Sequence, residues 1–375
     1  MFSVPYILLG SMVLVPLILS GEFSSVDEVV DAQVARPTLY GLAYSNYTYA
    51  YKVKAVLRRS PEIVSLGSSR VMQFRDFFFT KKKGAFYNAG GGAETIGDFL
   101  DFINEIPESQ YPKILIVGLD QCFFNLNWDP MKVERNIVKE NLQKEPTTVL
   151  KHSRSFMVDV IKGKVKWRDM IRIKDPLWGK YNTVGVYAKV RGSGHRNDGS
   201  YVYGEVLSDP EMKVIKENFP DTFDRIRSAS RRFEHGNTVS QPALNELKRF
   251  LKFCKDHDIY VVGFLAPFAP VVYDAIYGNS GYMYLSQLAG EIEPIFKEHA
   301  FSFFDFSDVR SLGATNAEFV DGFHGSSVTY MRMLIKMAQE DETLRLYTDP
   351  QALEEIFNSL EQPVVVYSLD QRYIF

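Results

Sequence analysis

Short apolar runs alternate along the chain with segments in which apolar side chains recur every three to four positions. The runs Ile63 to Gly67, Ala85 to Asn88, Lys113 to Gly118, Ile259 to Leu265 and Phe301 to Phe306 predict short buried strands. Helical spacing fills the gaps. Apolar residues fall at 96, 99, 100 and 103 within Thr95 to Ile106, and at 244, 247, 250, 251 and 254 within Pro242 to His257. Strands separated by helices require right-handed crossovers and a parallel sheet covered on both sides. The expected fold is therefore α/β, a three-layer α/β/α sandwich on a mainly parallel, flavodoxin-like five-stranded sheet.

The N-terminus follows a different pattern. Met1 to Gly21 carries no charged side chain, and Tyr6 to Leu19 is dominated by Ile, Leu, Val and Met. At ~1.5 Å rise per residue this stretch about covers a bilayer core of ~30 Å. A cleaved signal peptide would need a basic start and a small-x-small cleavage site, and the sequence offers neither. Pro5, Pro16 and the terminal position argue against a buried core helix. An uncleaved transmembrane anchor over 1–21 is expected. Lys and Arg are absent ahead of it and acidic residues follow (Glu22, Asp27, Glu28, Asp31), so charge fixes orientation poorly, and the body is expected outside the cytoplasm.

A Tyr-rich stretch, 22–59, reads as linker and lead-in to an α/β domain over 60–343, with a C-terminal extension over 344–375. An insertion at 131–204 interrupts that domain. Between Met131 and Arg196 it holds 16 Lys or Arg against 6 Asp or Glu, a local excess of positive charge in a chain whose net charge is -3. Such a surface suits an anionic polymer, anionic lipid headgroups or a membrane partner, and it equally suits a solvated helical lid. Asn197-Asp198-Gly199 closes the insertion with a strong turn signal.

With 46% hydrophobic residues over 375 positions, the chain can bury one large core or two small ones, so disorder is not the default. The acidic balance and the absence of base-stacking or zinc-knuckle motifs argue against nucleic acid as a partner. Cys122 and Cys254 cannot build a disulfide framework, and both read as buried thiols, with one bridge open to them in an oxidising compartment.

The candidate chemistry lies in two segments. Gly67-Ser68-Ser69 follows the first predicted strand, where the carboxyl edge of a parallel sheet carries its sites. The same serines also suit the plainer task of capping a helix. Asp321-Gly322-Phe323-His324 follows the last strand, and its spacing lets a carboxylate reach Nδ1 of the imidazole while Nε2 faces a serine. A serine hydroxyl needs such a base, and the base needs an acid to hold its tautomer. The expected catalytic residues are Ser69, Asp321 and His324. The other histidines show no ligand spacing and no acidic cluster accompanies them, so neither metal nor cofactor is expected.

These blocks carry a resemblance. Gly67-Ser68-Ser69 resembles the first block of the SGNH/GDSL hydrolase superfamily, with Ser69 at the nucleophile position and Ser68 where Asp is usual. Asn88 to Thr95 (Asn-Ala-Gly-Gly-Gly-Ala-Glu-Thr) is similar to the second block, and Asp321 to His324 to the last. The resemblance, spanning about residues 60 to 340, implies an oxyanion hole from the backbone N–H groups of Ser69 and of Gly92 or Ala93. In the third block Asp120 stands where the family has the asparagine that donates to the oxyanion. An ionised carboxylate cannot donate, and unless protonated it would repel the developing charge.

The departures resemble a membrane-anchored subset that includes the D-alanyl transfer protein of teichoic acid synthesis and the alginate O-acetylation proteins. That resemblance implies an extracytoplasmic serine esterase or O-acyltransferase on an acylated surface polysaccharide, with a membrane-bound O-acyltransferase as partner. A non-catalytic scaffold or glycan-binding subunit is the alternative, and Asp120 favours it. Arg70 reads as an anion contact or a salt bridge on the first helix. Phe77 to Phe79 and Phe123-Phe124 read as an acyl pocket or as aromatic packing.

Overall fold

The computed structural model describes residues 13–128, 146–166, 182–204 and 219–360. In chain order, α1 (Val26–Ala35), β1 (Thr38–Tyr40), α2 (Thr48–Arg59), β2 (Ile63–Gly67), β3 (Phe86–Gly90), α3 (Asp98–Asn104) and β4 (Ile114–Leu119) come first. Next are α4 (Pro146–Ile161), β5 (Asn182–Val184), α5 (Val186–Arg191), β6 (Gly194–His195) and β7 (Tyr201–Val202). The rest includes α6 (Pro220–Arg227), α7 (Gln241–Asp256), β8 (Tyr260–Leu265), α8 (Pro270–Tyr277), α9 (Leu285–Glu298), β9 (Ser302–Asp305), α10 (Ser327–Glu340), a single helical turn at Glu342–Arg345, and α11 (Pro350–Asn358).

The molecule is α/β, and its main sheet has five strands, all parallel, in the order β3-β2-β4-β8-β9. Alternation along each strand decides what covers each face. Val64, Leu66, Leu115, Val117 and Val261 pack with Val53 and Val56 of α2, Phe99 of α3, Leu247 and Leu251 of α7, and Ile292 and Phe296 of α9. Ile63, Ile114, Ile116, Val262 and Phe264 pack instead with Val328, Met331 and Leu334 of α10 and Leu353 of α11. Both faces being apolar is why these strands read as continuous hydrophobic runs rather than alternating ones. The part of the expected C-terminal extension that is described belongs to this core, through Leu344, Leu353 and Leu360.

A second, four-stranded sheet was not expected. Its order is β5-β1-β6-β7, with β1 parallel to β5 and antiparallel to β6. The expectation of a linker over 22–59 is therefore corrected, because this stretch forms α1, β1 and α2. A reciprocal capping box between Ser25 and Glu28 starts α1. The tyrosines that resemble linker composition are packed: Tyr51 is fully buried and its ring lies 4.9 Å from that of Tyr40. The Asn197-Asp198-Gly199 turn joins β6 to β7 as an antiparallel hairpin. Gly199 has φ +80°, and a Cβ there would stand 2.2 Å from the Asn88 carbonyl oxygen, so glycine is required on both counts.

The expected membrane anchor falls mostly on residues 1–12, outside the described residues. Residues 13–20 are helical, with Val13 and Leu17 buried beside Phe156, Val165 and Val186. Among the described residues no helix is long and apolar enough to cross a membrane. Glu22 fastens the end of this segment to the body, accepting hydrogen bonds from Ala43 N (2.8 Å), Tyr44 N (2.8 Å) and Val186 N (2.9 Å). Burial outweighs those donors and pushes its carboxyl up to about 7. Of the expected basic insertion, 131–145 and 167–181 likewise lie outside the described residues.

Candidate active site

Strand β2 ends at Gly67, and the chain turns at once into a single turn of 3₁₀ helix, Ser69–Val71. The close turn depends on Gly67, where a Cβ would stand 2.8 Å from Val71 Cγ1 and 3.0 Å from the Gly118 carbonyl oxygen. Ser68 is the cap, its Oγ accepting from Arg70 N at 3.1 Å. Ser69, one residue on, is half-buried at the carboxyl edge of the sheet. The capping task that the sequence left open to both serines thus falls to Ser68.

His324 reaches the same edge from the other end of the chain. After Val320 the backbone doubles back, with Val320 N donating to the His324 carbonyl oxygen at 2.8 Å. Asp321 Oδ1 accepts from Phe323 N (3.0 Å) and His324 N (2.7 Å), which shapes the turn around the carboxylate. Asp321 Oδ2 lies 2.8 Å from His324 Nδ1, and Ser69 Oγ lies 2.8 Å from His324 Nε2. A carboxylate only accepts, so Nδ1 carries the proton and Nε2 presents its lone pair to the serine hydroxyl. Burial works against the Asp321 charge, but the attraction of His324 and its hydrogen bonds prevail and hold the carboxyl well below the usual range. Thr222 Oγ1 adds a hydrogen bond to the Asp321 carbonyl oxygen at 2.7 Å.

The expected oxyanion donors are placed less favourably. Ala93 N donates to the Gly67 carbonyl oxygen (3.1 Å) and Gly92 N to that of Ala89 (2.9 Å). Both N–H groups are committed to holding the loop after β3 against the end of β2. This corrects the assignment of Gly92 and Ala93 to the oxyanion hole, leaving the Ser69 N–H, which has no hydrogen-bond partner among the described residues.

Asp120, at the end of β4, is fully buried. Its Oδ2 accepts from the Ser68 hydroxyl at 2.7 Å and from Arg232 Nη1 at 2.9 Å. A cation therefore stands against the Asp120 carboxylate. Arg232 comes from a segment in which Ala229, Arg231 and Arg232 all have positive φ (46°, 53° and 82°). Each left-handed non-glycine residue costs roughly 1–2 kcal/mol, so strain is concentrated in the loop that delivers this guanidinium. Its plane lies over Trp128, 5.3 Å from the ring centre.

Sequence reading missed Arg232, Thr222 and Tyr203. The Tyr203 ring, just past β7, lies 6.1 Å from the His324 ring, so the second sheet reaches the site. Nothing in a local window marks these residues, because each arrives by a long-range contact. Among the described residues Arg70 makes no salt bridge. It is buried, donates to Gln121 Oε1 (2.8 Å) and the Pro267 carbonyl oxygen (2.5 Å), and lies 4.3 Å from the ring centres of both Phe268 and Phe323. Phe78, Phe79, Phe123 and Phe124 are fully buried, and Cys122 and Cys254 are buried free thiols. Among the described residues no group of His, Cys, Asp and Glu side chains is arranged to hold a metal ion.

Comparisons with protein-family models, with curated proteins and with solved structures find no match for this chain.

Proposed function

We propose that this chain is a serine esterase or O-acyltransferase of the SGNH type. The observation that carries the reading is the continuous relay from Ser69 Oγ through His324 to Asp321, with 2.8 Å at each step. Ser69 Oγ attacks the acyl carbonyl while His324 Nε2 takes its proton. His324 then gives that proton to the departing alkoxide, leaving an acyl-serine. Water or a sugar hydroxyl then attacks the acyl-serine, losing its proton to His324, which returns it to Ser69 Oγ as the acyl–oxygen bond breaks. Asp321 holds the tautomer and stabilises the imidazolium. Ser69 N–H serves the oxyanion, and Arg232 offsets the Asp120 charge that would otherwise oppose it.

The finer reading belongs to the same proposal. It comprises an SGNH-type, flavodoxin-like sandwich, an N-terminal transmembrane helix over 1–21, and a body facing the extracytoplasmic side. The substrate is an acylated surface polysaccharide or its acyl donor, and the partner is a membrane-bound O-acyltransferase. One observation favours the alternative of a non-catalytic scaffold or glycan-binding subunit: the N–H groups of Gly92 and Ala93 are spent on carbonyls. The test is hydrolysis of a short-chain nitrophenyl ester by the full chain in detergent. Ser69→Ala and His324→Ala are expected to lose about 10⁴-fold or more in kcat, with Ser68→Ala staying near the parent. Activity indifferent to all three changes removes the reading.

A further inference from the structure

Helix α4 is two-faced in a way the rest of the described fold does not use. His152 and Phe156 are buried, and Phe156 joins Val13, Leu17, Val165 and Val186 in a small apolar cluster. The opposite face exposes Leu150 (72%), Met157 (37%), Val158 (39%) and Ile161 (80%). At about 100° per residue these four, with exposed Arg154, form one stripe. The helical segment over 13–20, joined to α4 through the same cluster, exposes Val15 (45%), Ile18 (62%) and Leu19 (67%). Apolar groups of this size outside a core mark a contact surface.

Charge and continuity identify the occupant. Lys151, Arg154, Lys162, Lys164 and Lys166 are exposed on or beside the stripe. Asp159 is the acidic residue of α4, and Lys164 stands 4.0 Å from it. Aliphatic side chains flanked by cations match the boundary between acyl chains and anionic headgroups. The stripe has no aromatic anchor of the kind that dominates protein interfaces. Upstream of Val13 the sequence continues through Met1 to Met12 without a charged side chain.

We propose that the exposed stripe of α4, together with Val15, Ile18 and Leu19, lies on the surface of a bilayer containing anionic lipid. This rests on reading the N-terminal segment as a membrane anchor. A single anchor leaves the body free to swing, and a second contact on α4 fixes its tilt. α4 packs on Val186 of α5, the helix that follows β5 of the second sheet, and just past the last strand of that sheet Tyr203 stands beside His324. The membrane contact therefore sets the orientation of the catalytic edge.

The test uses the full chain in lipid nanodiscs, with an environment-sensitive fluorophore on Leu150→Cys or Ile161→Cys and on Lys252→Cys of α7 as the aqueous reference. The native cysteines are buried. In discs of phosphatidylcholine with phosphatidylglycerol, emission at 150 and 161 is expected to shift to the blue and to be quenched by nitroxide-bearing lipid. Position 252 should do neither, and the shift should shrink in pure phosphatidylcholine, at high salt, or with Lys162→Glu and Lys166→Glu. Incorporated protein whose labels at 150 and 161 stay as aqueous as 252 overturns the proposal. So does a blue shift indifferent to nitroxide lipid, which would mean that protein covers the face. Failure of the chain to enter discs overturns the anchor reading itself.

Discussion

Two neighbouring serines, each connected to an aspartate, behave as opposites. Ser68 donates directly to Asp120, a fully buried carboxylate that also holds Arg232, so its hydroxyl is fixed as an acceptor-bound cap. Ser69 meets its aspartate only through an imidazole, and its hydroxyl faces a nitrogen lone pair on a half-buried ring. The first arrangement positions and the second can move a proton. A one-residue step along a 3₁₀ turn separates a hydroxyl held by a carboxylate from one set against an imidazole nitrogen.

The largest way to break this contrast after losing Ser69 or His324 is Asp321→Asn. The backbone N–H groups of Phe323 and His324 keep the amide oxygen, so the amide NH2 faces Nδ1, the tautomer inverts, and kcat is expected to fall about 10⁴-fold while the fold persists. Ester hydrolysis beside a thermal unfolding curve checks both halves of that statement.

Arg232→Gln strikes the other side of the comparison. It strips the cation from a fully buried carboxylate, and the loss is expected to be roughly 3 kcal/mol, at the low end for a buried pair because the Arg232 side chain keeps 19% exposure. An uncompensated charge beside the oxyanion should also lower kcat about 10²-fold, comparable to losing a hole donor. Adding Asp120→Asn to that variant should restore most of both, which urea midpoints and kcat would read. No recovery in the double variant would mean that Arg232 acts through something other than Asp120.

Glu22 supplies the most distant contrast, read in stability alone. Its carboxyl is raised from 4.5 to about 7 by burial, opposite in direction to Asp321. An acid with a raised folded pKa contributes stability that is full below 4.5 and lost as pH rises through about 7. The change is on the order of 3 kcal/mol. Urea midpoints should therefore fall over that interval in the parent and fall less in Glu22→Gln. An identical slope in both would assign the dependence to other groups.

The main sheet was legible because its strands are continuous apolar runs buried on both faces, and the helices between them keep a clean apolar spacing. The second sheet was not. Its strands are two or three residues long, and β1 finds its parallel partner β5 only across the chain, Thr38 against Asn182. Composition misread 22–59, because packed tyrosines and solvated ones look alike in sequence. Ser69, Asp321 and His324 could be named because local spacing constrains an aspartate and a histidine three apart. The commitments of the Gly92 and Ala93 N–H groups could not, since the direction of a backbone amide depends on the turn and not on the side chains. Arg232 was hidden for a third reason, its delivery by a left-handed loop with no periodic pattern.

The central claim, that Ser69 and not Ser68 is the activated hydroxyl, is tested most directly by a fluorophosphonate reacted with the native full chain and located by peptide mass analysis. The account predicts one adduct, on Ser69, kept in Ser68→Ala and lost in Ser69→Ala and His324→Ala. An adduct on Ser68, or none on the folded protein, would contradict it and leave the relay as geometry retained by a scaffold.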